Sequence, residues 1–599
     1  MHRTALSCEE LNQQLQDIPQ LQQMDLLIHT PGWFPTRWTL ITSETTSAPD
    51  VLINGETTSC RQRETAADHS LYTIDPFWSQ STGPEHHWLQ IRSSGTILRL
   101  QASDAISPWA LLQLLRPDVA RSSLDPLRSW LFSNGIHECN LLRQHPALLA
   151  SLNQRLPGTD LPWFHWALRQ QRTDLQQAFS PHDAASMRHW LVHHGAHEHQ
   201  LRPINSDGLL IPEPITLQPW KQRPFGVNLF GYASEALGIG EDLRTVHTAL
   251  RSAGIPVQVV DIHRQHSSDA LRQEARSTPD QLAPYAFNIV CLTAEEHARV
   301  LLELGEAVFD ERFTIGYWPW ELSQWPKPWQ PLLRLADEIW ASSQHTHGAL
   351  HTALGERPNP SLQLLPLPLE RLEPLGTNER AHWRAHFQLP QDAPLVICSF
   401  DGRSSYARKN PWAAIDAFQA ATAPDAPARL VIKTMHAGLA EQQWEQLQAR
   451  VAADPRLLLI DSVLPRDALL GLYGCCDVLL SLHRAEGYGR VLAEALLLGL
   501  DVIATNYSGN RDFCIGPRAH PVGYTIIPVL PDEYPHGSGQ VWAEPDLAAA
   551  IAQLQRVLRQ RAAQSIQPPE RSAPYQHLFS PEAIGQRYAE RLHQIWANP

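Results

Sequence analysis

The stretch DVLLSLHRAEGYGRVLAEALLLGLDVIATNYSGN, residues 477–510, decides the fold of the longest part of the chain. Its apolar run Asp477–Leu482 predicts a buried parallel strand. Gly487 and Gly489 then predict a sharp turn, followed by a helix over about residues 489–498 and a second strand. Open α/β sheets bind ligands at this edge, beside the free N–H groups of the helix. The stretch therefore predicts a site for a phosphate or an alcohol-rich ligand.

Two carboxylates stand at this helix. Glu486 lies at its mouth, and Glu494 lies a turn or more further along. A carboxylate in the first position can accept hydrogen bonds from sugar hydroxyls, and one in the second can reach a ribose. Both could instead be ordinary helix-start and surface glutamates, because this spacing often arises by chance.

A second segment upstream places two cations at a strand end. The buried strand LVICSF begins at Leu395, and Arg403 and Lys409 follow it before Asn410 and Pro411 begin a helix. A guanidinium fork and a mobile ammonium group suit a diphosphate whose charge grows during a reaction. The alternative is that both are solvated loop charges.

Taken together, Arg403, Lys409, the run HRAEGYG and Glu494 resemble the carboxyl-terminal half of retaining glycosyltransferases of family 4. The resemblance covers about residues 224–599 and implies an α/β protein of the GT-B fold, in which two Rossmann-like domains face a cleft. It implies that Arg403 and Lys409 bind the donor diphosphate. Glu486 would hold donor-sugar hydroxyls and complete the catalytic set, and Glu494 would bind the ribose. The donor-side backbone turn would comprise Gly487, Tyr488 and Gly489.

The preceding residues fit the other half of such an enzyme. The strand FGVNLF at 225–230 is followed by Gly238 and Gly240 directly before a helix, which is the opening of a doubly wound unit. In the family the corresponding glycine loop approaches the donor phosphates. A plain helix start is the alternative. One departure from the family is Arg490, where a smaller or apolar residue is frequent.

The segment GYWPWELSQWPKPW at 316–329 holds four tryptophans just after a predicted strand. Aromatic faces stack on sugar rings, and a neighbouring carboxylate can orient a hydroxyl. Trp318, Trp320 and Glu321 are therefore candidates for the acceptor side. A tryptophan-rich core corner, with Glu321 capping the next helix, explains the segment equally well.

The first 223 residues form an appendage. Short apolar runs over 24–102 predict a β-rich module. Further on, LRSWLFSNGIHE at 127–138 is echoed by MRHWLVHHGAHE at 187–198, which predicts stacked helical units ended by Gly135 and Gly195. The predicted organisation is a β-rich module at 1–105, a helical repeat region at 106–202, a linker at 203–223, Rossmann-like domains at 224–375 and 376–580, and a terminal helix at 581–599 that returns to the first of them.

Composition excludes several classes of protein. The formal charge of −14 argues against a nucleic-acid partner. The eight cysteines contain no CxxC pair, and no secretory leader or run of about 20 apolar residues is present. We therefore expect a cytoplasmic protein that is soluble or peripheral to the inner membrane. The histidine clusters near 193–199 lack a completed ligand set, and no DxD-type carboxylate pair accompanies the motifs, so no metal or cofactor is expected.

The resemblance implies retaining sugar transfer from a nucleotide-sugar donor to a glycan or lipid-linked acceptor, in the synthesis of lipopolysaccharide or another surface polysaccharide. GDP-mannose is the expected donor. A GT-B enzyme of other chemistry, such as a nucleotide-sugar epimerase or a phosphorylase, and a non-catalytic glycan-binding scaffold are the alternatives.

Overall fold

The computed structural model describes residues 26–563 and 569–597, except for 32–35, 44–49, 54–55, 58, 66–68, 76–85, 93–96, 107, 121–123, 145, 202, 213–217, 264–278 and 356–359. Part of the predicted β-rich module, the amino terminus at 1–25, and positions 213–217 of the predicted linker lie outside these ranges. No helix of the described residues is long and apolar enough to cross a membrane.

The first described part is made of β-strands, as the alternating runs predict. Its eight strands form two four-stranded antiparallel sheets, in the orders β1-β7-β3-β4 and β5-β6-β2-β8. The strands are β1 (Leu26–Pro31), β2 (Thr36–Ser43), β3 (Asp50–Ile53), β4 (Glu56–Thr57), β5 (Ser59–Thr65), β6 (His69–Asp75), β7 (His86–Arg92) and β8 (Ile97–Ile106).

Two helical units follow, and they repeat the same local geometry. In each, an α-helix ending in tryptophan runs into a five-residue π-helix, Leu131–Gly135 in the first unit and Leu191–Gly195 in the second. The α-helices are α1 (Pro108–Leu115), α2 (Pro117–Ala120), α3 (Leu124–Trp130), α4 (Ile136–Glu138), α5 (Asn140–Arg143), α6 (Pro146–Asn153), α7 (Trp163–Gln171), α8 (Thr173–Ala178), α9 (Ala184–Trp190) and α10 (Ala196–Glu198).

Gly135 and Gly195 do not end these helices, so this prediction was wrong. Gly135 has φ −57° and ψ −46°, and the chain continues directly into α4. Each glycine is needed for space instead: a Cβ on Gly135 would come 2.9 Å from the ring of Trp130, and one on Gly195 would overlap the ring of Trp190. The widened π-turn therefore seats a tryptophan ring against the backbone.

The N-domain, as we call the first Rossmann-like domain, has a six-stranded parallel sheet in the order β10-β9-β11-β12-β13-β14. Residues of β9, β11 and β13 are buried throughout, because helices cover both faces of the sheet. The elements are β9 (Val227–Gly231), α11 (Gly238–Ser252), β10 (Val257–Asp261), α12 (Pro279–Leu282), β11 (Phe287–Val290), α13 (Ala294–Leu304), α14 (Glu306–Phe309), β12 (Phe313–Gly316), β13 (Glu338–Ala341), α15 (Gln344–Leu354) and β14 (Ser361–Leu364), with 3-10 turns at Trp220–Gln222 and Lys327–Leu335.

The C-domain, the second Rossmann-like domain, also has a six-stranded parallel sheet, in the order β17-β16-β15-β18-β19-β20. Its elements are α16 (Thr377–His386), β15 (Leu395–Asp401), α17 (Tyr406–Lys409), α18 (Pro411–Ala421), β16 (Arg429–Met435), α19 (Glu441–Ala453), β17 (Leu457–Asp461), α20 (Arg466–Gly474), β18 (Val478–Ser481), α21 (Arg490–Leu497), β19 (Asp501–Thr505), β20 (Ala519–Val522), β21 (Tyr524–Pro528), β22 (Val541–Pro545), α22 (Leu547–Ala563), α23 (Pro569–Phe579) and α24 (Pro581–Ala597), with 3-10 turns at Gly402–Ser404, Ala437–Leu439 and Gly509–Asp512.

Two facing parallel sheets with helices on both sides confirm the predicted α/β architecture of the GT-B type. The chain also crosses back at its end, because α24 packs on α11 of the N-domain. Gly585 lets the two helices touch, since a Cβ there would overlap the carbonyl oxygen of Ala249. Tyr588 on the same helix donates to the Pro366 carbonyl at 2.9 Å. The terminal helix is thereby fixed to the N-domain.

Candidate functional site

The carboxyl ends of two neighbouring C-domain strands form the centre of the candidate site. β15 and β18 are parallel neighbours, so the segments that follow them emerge side by side. After β15 the chain forms the short helix α17, which carries Arg408 and Lys409. The loop after β18 carries Glu486. The strand-end rule therefore brings the second cation of one motif beside the first carboxylate of the other.

Glu486 lies in a buried ion-pair cluster. Lys409 Nζ donates to its Oε1 at 2.5 Å, and Arg408 Nη1 lies 3.3 Å from its Oε2. The backbone N–H of Glu486 also donates to Ser508 Oγ at 2.8 Å. Burial alone would raise the pKa of this carboxyl, but the charges of Lys409 and Arg408 lower it to about 2. Glu486 is therefore a permanent anion at neutral pH and not a proton donor.

The two cations respond differently to burial. Burial lowers the pKa of Lys409, and Glu486 only partly compensates. Arg408 is equally enclosed, yet the carboxylates of Glu486 and Glu321 raise its pKa above the ordinary value. Its Nη1 also donates to the Ala485 carbonyl at 2.9 Å. Arg408 is thus the fixed charge of the cluster and Lys409 the more readily discharged one.

The sequence analysis did not indicate Arg408. It named Arg403, whose role in binding the donor diphosphate stays a prediction. Arg403 is exposed on the 3-10 turn after β15, where its backbone N–H donates to Asp401 Oδ1 at 3.0 Å. Its guanidinium makes no hydrogen bond or ion pair with the residues that the structure describes. The left-handed conformations of Ser405 and Asn410, which bracket α17, turn Arg408 inward. The adjacent pair of cations at 408 and 409 was the one available signal.

The turn after Glu486 is pressed against the N-domain. The Gly487 carbonyl accepts from Ser343 Oγ at 2.5 Å and from Thr346 Oγ1 at 3.3 Å. A Cβ on Gly487 would come 2.8 Å from the carbonyl oxygen of Trp320. Gly489, with φ 95°, has the left-handed conformation that lets α21 begin immediately. This turn therefore depends on both of its glycines.

Tyr488 points away from the turn into the interior. It is buried, and its hydroxyl donates to the Leu367 carbonyl at 2.9 Å. The side chain thus anchors the turn to the segment that connects the two domains. Its contribution to a ligand would come from the backbone, as the resemblance implies.

Glu494 is enclosed on α21, with 1% of its surface exposed. Arg466 Nη2 lies 2.7 Å from its Oε1 and 2.6 Å from Glu370 Oε1. Burial raises the pKa of Glu494 although Arg466 opposes the shift. A ribose that bonds this carboxylate would have to share it with Arg466, a residue that the sequence did not indicate.

The two glycines of the N-domain loop differ in what surrounds them. A Cβ on Gly240 would come 2.5 Å from the carbonyl oxygen of Tyr232, so that glycine serves close packing within the loop. Around Gly238, the first residue of α11, no described heavy atom lies within 4 Å of a Cβ. Of the pair, Gly238 is the one with space for an approaching ligand.

The tryptophan segment is a core corner in the structure. Trp318 and Trp320 are 1% and 3% exposed, and both pack on Trp325, at 6.0 Å and 6.1 Å between ring centroids. Neither ring is open to a sugar in this arrangement, so their acceptor-side role stays a prediction. Glu321, by contrast, faces the C-domain, where its Oε1 lies 3.8 Å from Arg408 Nη2.

A loop of the C-domain between β21 and β22, residues 529–540, reaches this corner. We call it the arm. Tyr534 of the arm donates to Glu321 Oε2 at 2.5 Å, and Gln540 Oε1 accepts from the backbone N–H of Gln324 at 3.3 Å. Ser405 Oγ, at the start of α17, donates to the Glu533 carbonyl at 2.6 Å. The arm therefore covers the side of the Glu486 cluster that faces the N-domain, and nothing in the sequence patterns indicated it.

Within the described ranges, no group of three or more His, Cys, Asp or Glu side chains could hold a metal ion. In the histidine cluster near 193–199, the ring of His193 lies 4.2 Å from that of His189 and 6.4 Å from that of His194.

No family model matches the sequence, and no curated protein matches it. Solved structures that resemble the chain include Alr3699/HepE of Anabaena in complex with UDP-glucose, at 16% identity and a TM-score of 0.43, over 62% of this chain and 100% of that one. Sucrose-phosphate synthase of Thermosynechococcus elongatus has 16% identity and a TM-score of 0.46, with the same coverage. The catalytic domain of starch synthase IV of Arabidopsis thaliana has 10% identity and a TM-score of 0.46, over 62% and 99%.

Proposed function

We propose that the protein is a glycosyltransferase that moves a sugar from a nucleotide-sugar donor to a glycan or lipid-linked acceptor. The observation that carries the proposal is the buried cluster of Lys409, Arg408 and Glu486 at the ends of two adjacent parallel strands, opposite a second Rossmann-like domain. Buried charges of this kind cost free energy, so a cluster at a ligand-binding sheet edge indicates a functional site.

Each member of the cluster fits one part of such a donor. Cations beside a helix amino end stabilise the negative charge that grows on a departing diphosphate, which suits Lys409 and Arg408. Glu486, a permanent anion, can only accept hydrogen bonds and therefore suits sugar hydroxyls. Glu494 would accept hydrogen bonds from the ribose hydroxyls while its carboxylate is also paired with Arg466.

The same charges favour a retaining reaction without a metal. The pKa of Glu486, about 2, is too low for a general base at neutral pH, and its carboxylate is already engaged by two cations. We therefore propose a front-face transfer in which a donor phosphate oxygen takes the proton of the acceptor hydroxyl. Lys409 and Arg408 would supply the positive charge that a metal ion supplies elsewhere.

We propose GDP-mannose as the donor and a surface polysaccharide such as lipopolysaccharide as the acceptor. The first experiment measures slow hydrolysis and thermal stabilisation with GDP-mannose and a panel of UDP-, ADP- and GDP-sugars. Stabilisation and turnover with one donor is the expected result. Stabilisation without turnover on any acceptor would favour a glycan-binding scaffold, and release of an isomerised nucleotide sugar would favour an epimerase.

Variants then test the site. Lys409→Ala and Glu486→Ala should each lower turnover at least about 100-fold, because each removes a charge that contacts the donor. Glu445→Ala is the matched control, since Glu445 is an exposed glutamate on α19 of the same domain. Full turnover by both site variants would refute the assignment. The anomeric configuration of the product, read by NMR, tests retention separately.

A further inference from the structure

Arg490 bridges the two domains at the place where two helices begin. It is the first residue of α21, directly after Gly489. Its Nε and Nη2 donate to Asp242 Oδ1 at 2.8 Å and 2.5 Å, and Nη2 also donates to Thr245 Oγ1 at 3.2 Å. Asp242 and Thr245 lie on α11 of the N-domain. One guanidinium group of the C-domain is therefore held by two side chains of the N-domain.

The third nitrogen of this guanidinium has no partner. Nη1 of Arg490 is buried and makes no hydrogen bond with any residue that the structure describes. The group stays charged, because the carboxylates of Asp242 and Glu494 raise its pKa although burial alone would lower it. A buried cationic N–H without an acceptor is costly, and the cost disappears when a ligand supplies an oxygen.

The position favours an anionic ligand. α21 begins at Arg490 and α11 begins at Gly238, four residues before Asp242, so the contact between Arg490 and Asp242 joins the first residue of α21 to the second turn of α11. The free N–H groups and the positive dipole end of α21 begin at Arg490 itself. Gly238 leaves its surroundings open, which gives an incoming ligand room beside the first turn of α11.

We propose that Arg490 binds the diphosphate of the donor through Nη1 while Nε and Nη2 remain on Asp242. The inference rests on the proposed function and adds a donor-binding residue to it. Because the same guanidinium is fixed to the N-domain, a bound diphosphate stabilises the closed arrangement of the two domains. Donor binding and domain closure are thus coupled through one side chain.

Calorimetric titration of the 599-residue chain with UDP, ADP and GDP, and with uridine, adenosine and guanosine, tests the proposal. Arg490→Gln should weaken binding of the preferred diphosphate at least 10-fold and leave the matching nucleoside unchanged, since only the diphosphate reaches Nη1. Arg490→Lys, which keeps a charge but has one nitrogen, should give an intermediate loss. Thermal unfolding of each variant verifies that it is folded.

Arg591→Gln is the matched control. Arg591 also joins a carboxylate of the N-domain, with Nη2 2.5 Å from Glu338 Oε2, but it lies on α24. It should bind the diphosphate like the wild type. Wild-type affinity of Arg490→Gln for the diphosphate, or an equal loss for diphosphate and nucleoside, would overturn the inference. Binding of no diphosphate by the wild type would instead overturn the proposed function, and this inference with it.

Discussion

Removing the ammonium group of Lys409 should destabilise the C-domain, because the buried carboxylate of Glu486 then loses its closest cation. Lys409→Met keeps most of the side-chain volume, so packing changes little. The change removes the closest cation from Glu486, whose pKa then rises from about 2. The shift of Glu486 from 4.5 to about 2 corresponds to about 3 kcal/mol.

Arg408 remains 3.3 Å from Glu486, so the variant does not leave the carboxylate wholly unpaired. We therefore expect the free energy of unfolding to fall by about 2–4 kcal/mol at pH 7, which is at or below the usual cost of breaking a buried ion pair. The double variant Lys409→Met/Glu486→Gln should recover about half of this loss, because no buried charge is then left without its partner.

The assay is urea unfolding followed by tryptophan fluorescence at pH 7 and pH 4. A carboxyl with a depressed pKa contributes stability that is present above its unfolded value of 4.5 and is lost as the pH falls through about 2. Lys409→Met should therefore lower the free energy of unfolding less at pH 4 than at pH 7. Arg403→Met, a change at an exposed cation, should cost under about 0.5 kcal/mol at either pH. Equal and pH-independent effects of Lys409→Met and Arg403→Met would refute the reasoning.

Two further outcomes follow from buried groups, and the second has a control. Burial lowers the pKa of His297 to about 3, so His297→Phe should flatten the acid loss of stability between pH 6.5 and 3, as urea unfolding at several pH values would record. Gly585→Ala should push α24 off α11 through its overlap with the Ala249 carbonyl, and limited proteolysis should then release the terminal helix. Gly348→Ala, inside α15 and with no described heavy atom within 4 Å, is its control and should raise the melting temperature slightly.

The parts of the fold that could be predicted are those determined by local pattern. Val478, Leu479 and Leu480 of the strand Val478–Ser481 are apolar and buried, and a strand buried on both faces needs that composition. A glycine turn after such a strand leads directly into a helix, so the turn at 487–489 could be located to the residue. The meeting of Lys409 and Glu486 follows from the rule that parallel strands present their carboxyl ends at one edge.

What could not be predicted depends on contacts between distant segments. Whether Arg403 or Arg408 turns inward is determined by two left-handed residues around α17, and no periodicity shows them. A glycine in the sequence at Gly135 is typical of a helix end, but its actual constraint is the ring of Trp130, a contact that only the three-dimensional structure reveals. The arm has no strand or helix pattern, so its contact with Glu321 was equally hidden.

Two inward-facing arginines of the C-domain site, Arg408 and Arg490, each reach a carboxylate of the N-domain: Arg408 approaches Glu321, and Arg490 holds Asp242. Opening the cleft would separate both pairs and leave buried charges that must be solvated, which costs more than separating exposed pairs. A diphosphate beside these arginines adds negative charge that competes with the two N-domain carboxylates. The stability of the closed arrangement and the affinity for the donor are therefore linked. Glu321→Gln should weaken closure, and it should leave more of the positive charge of Arg408 uncompensated and available to the donor.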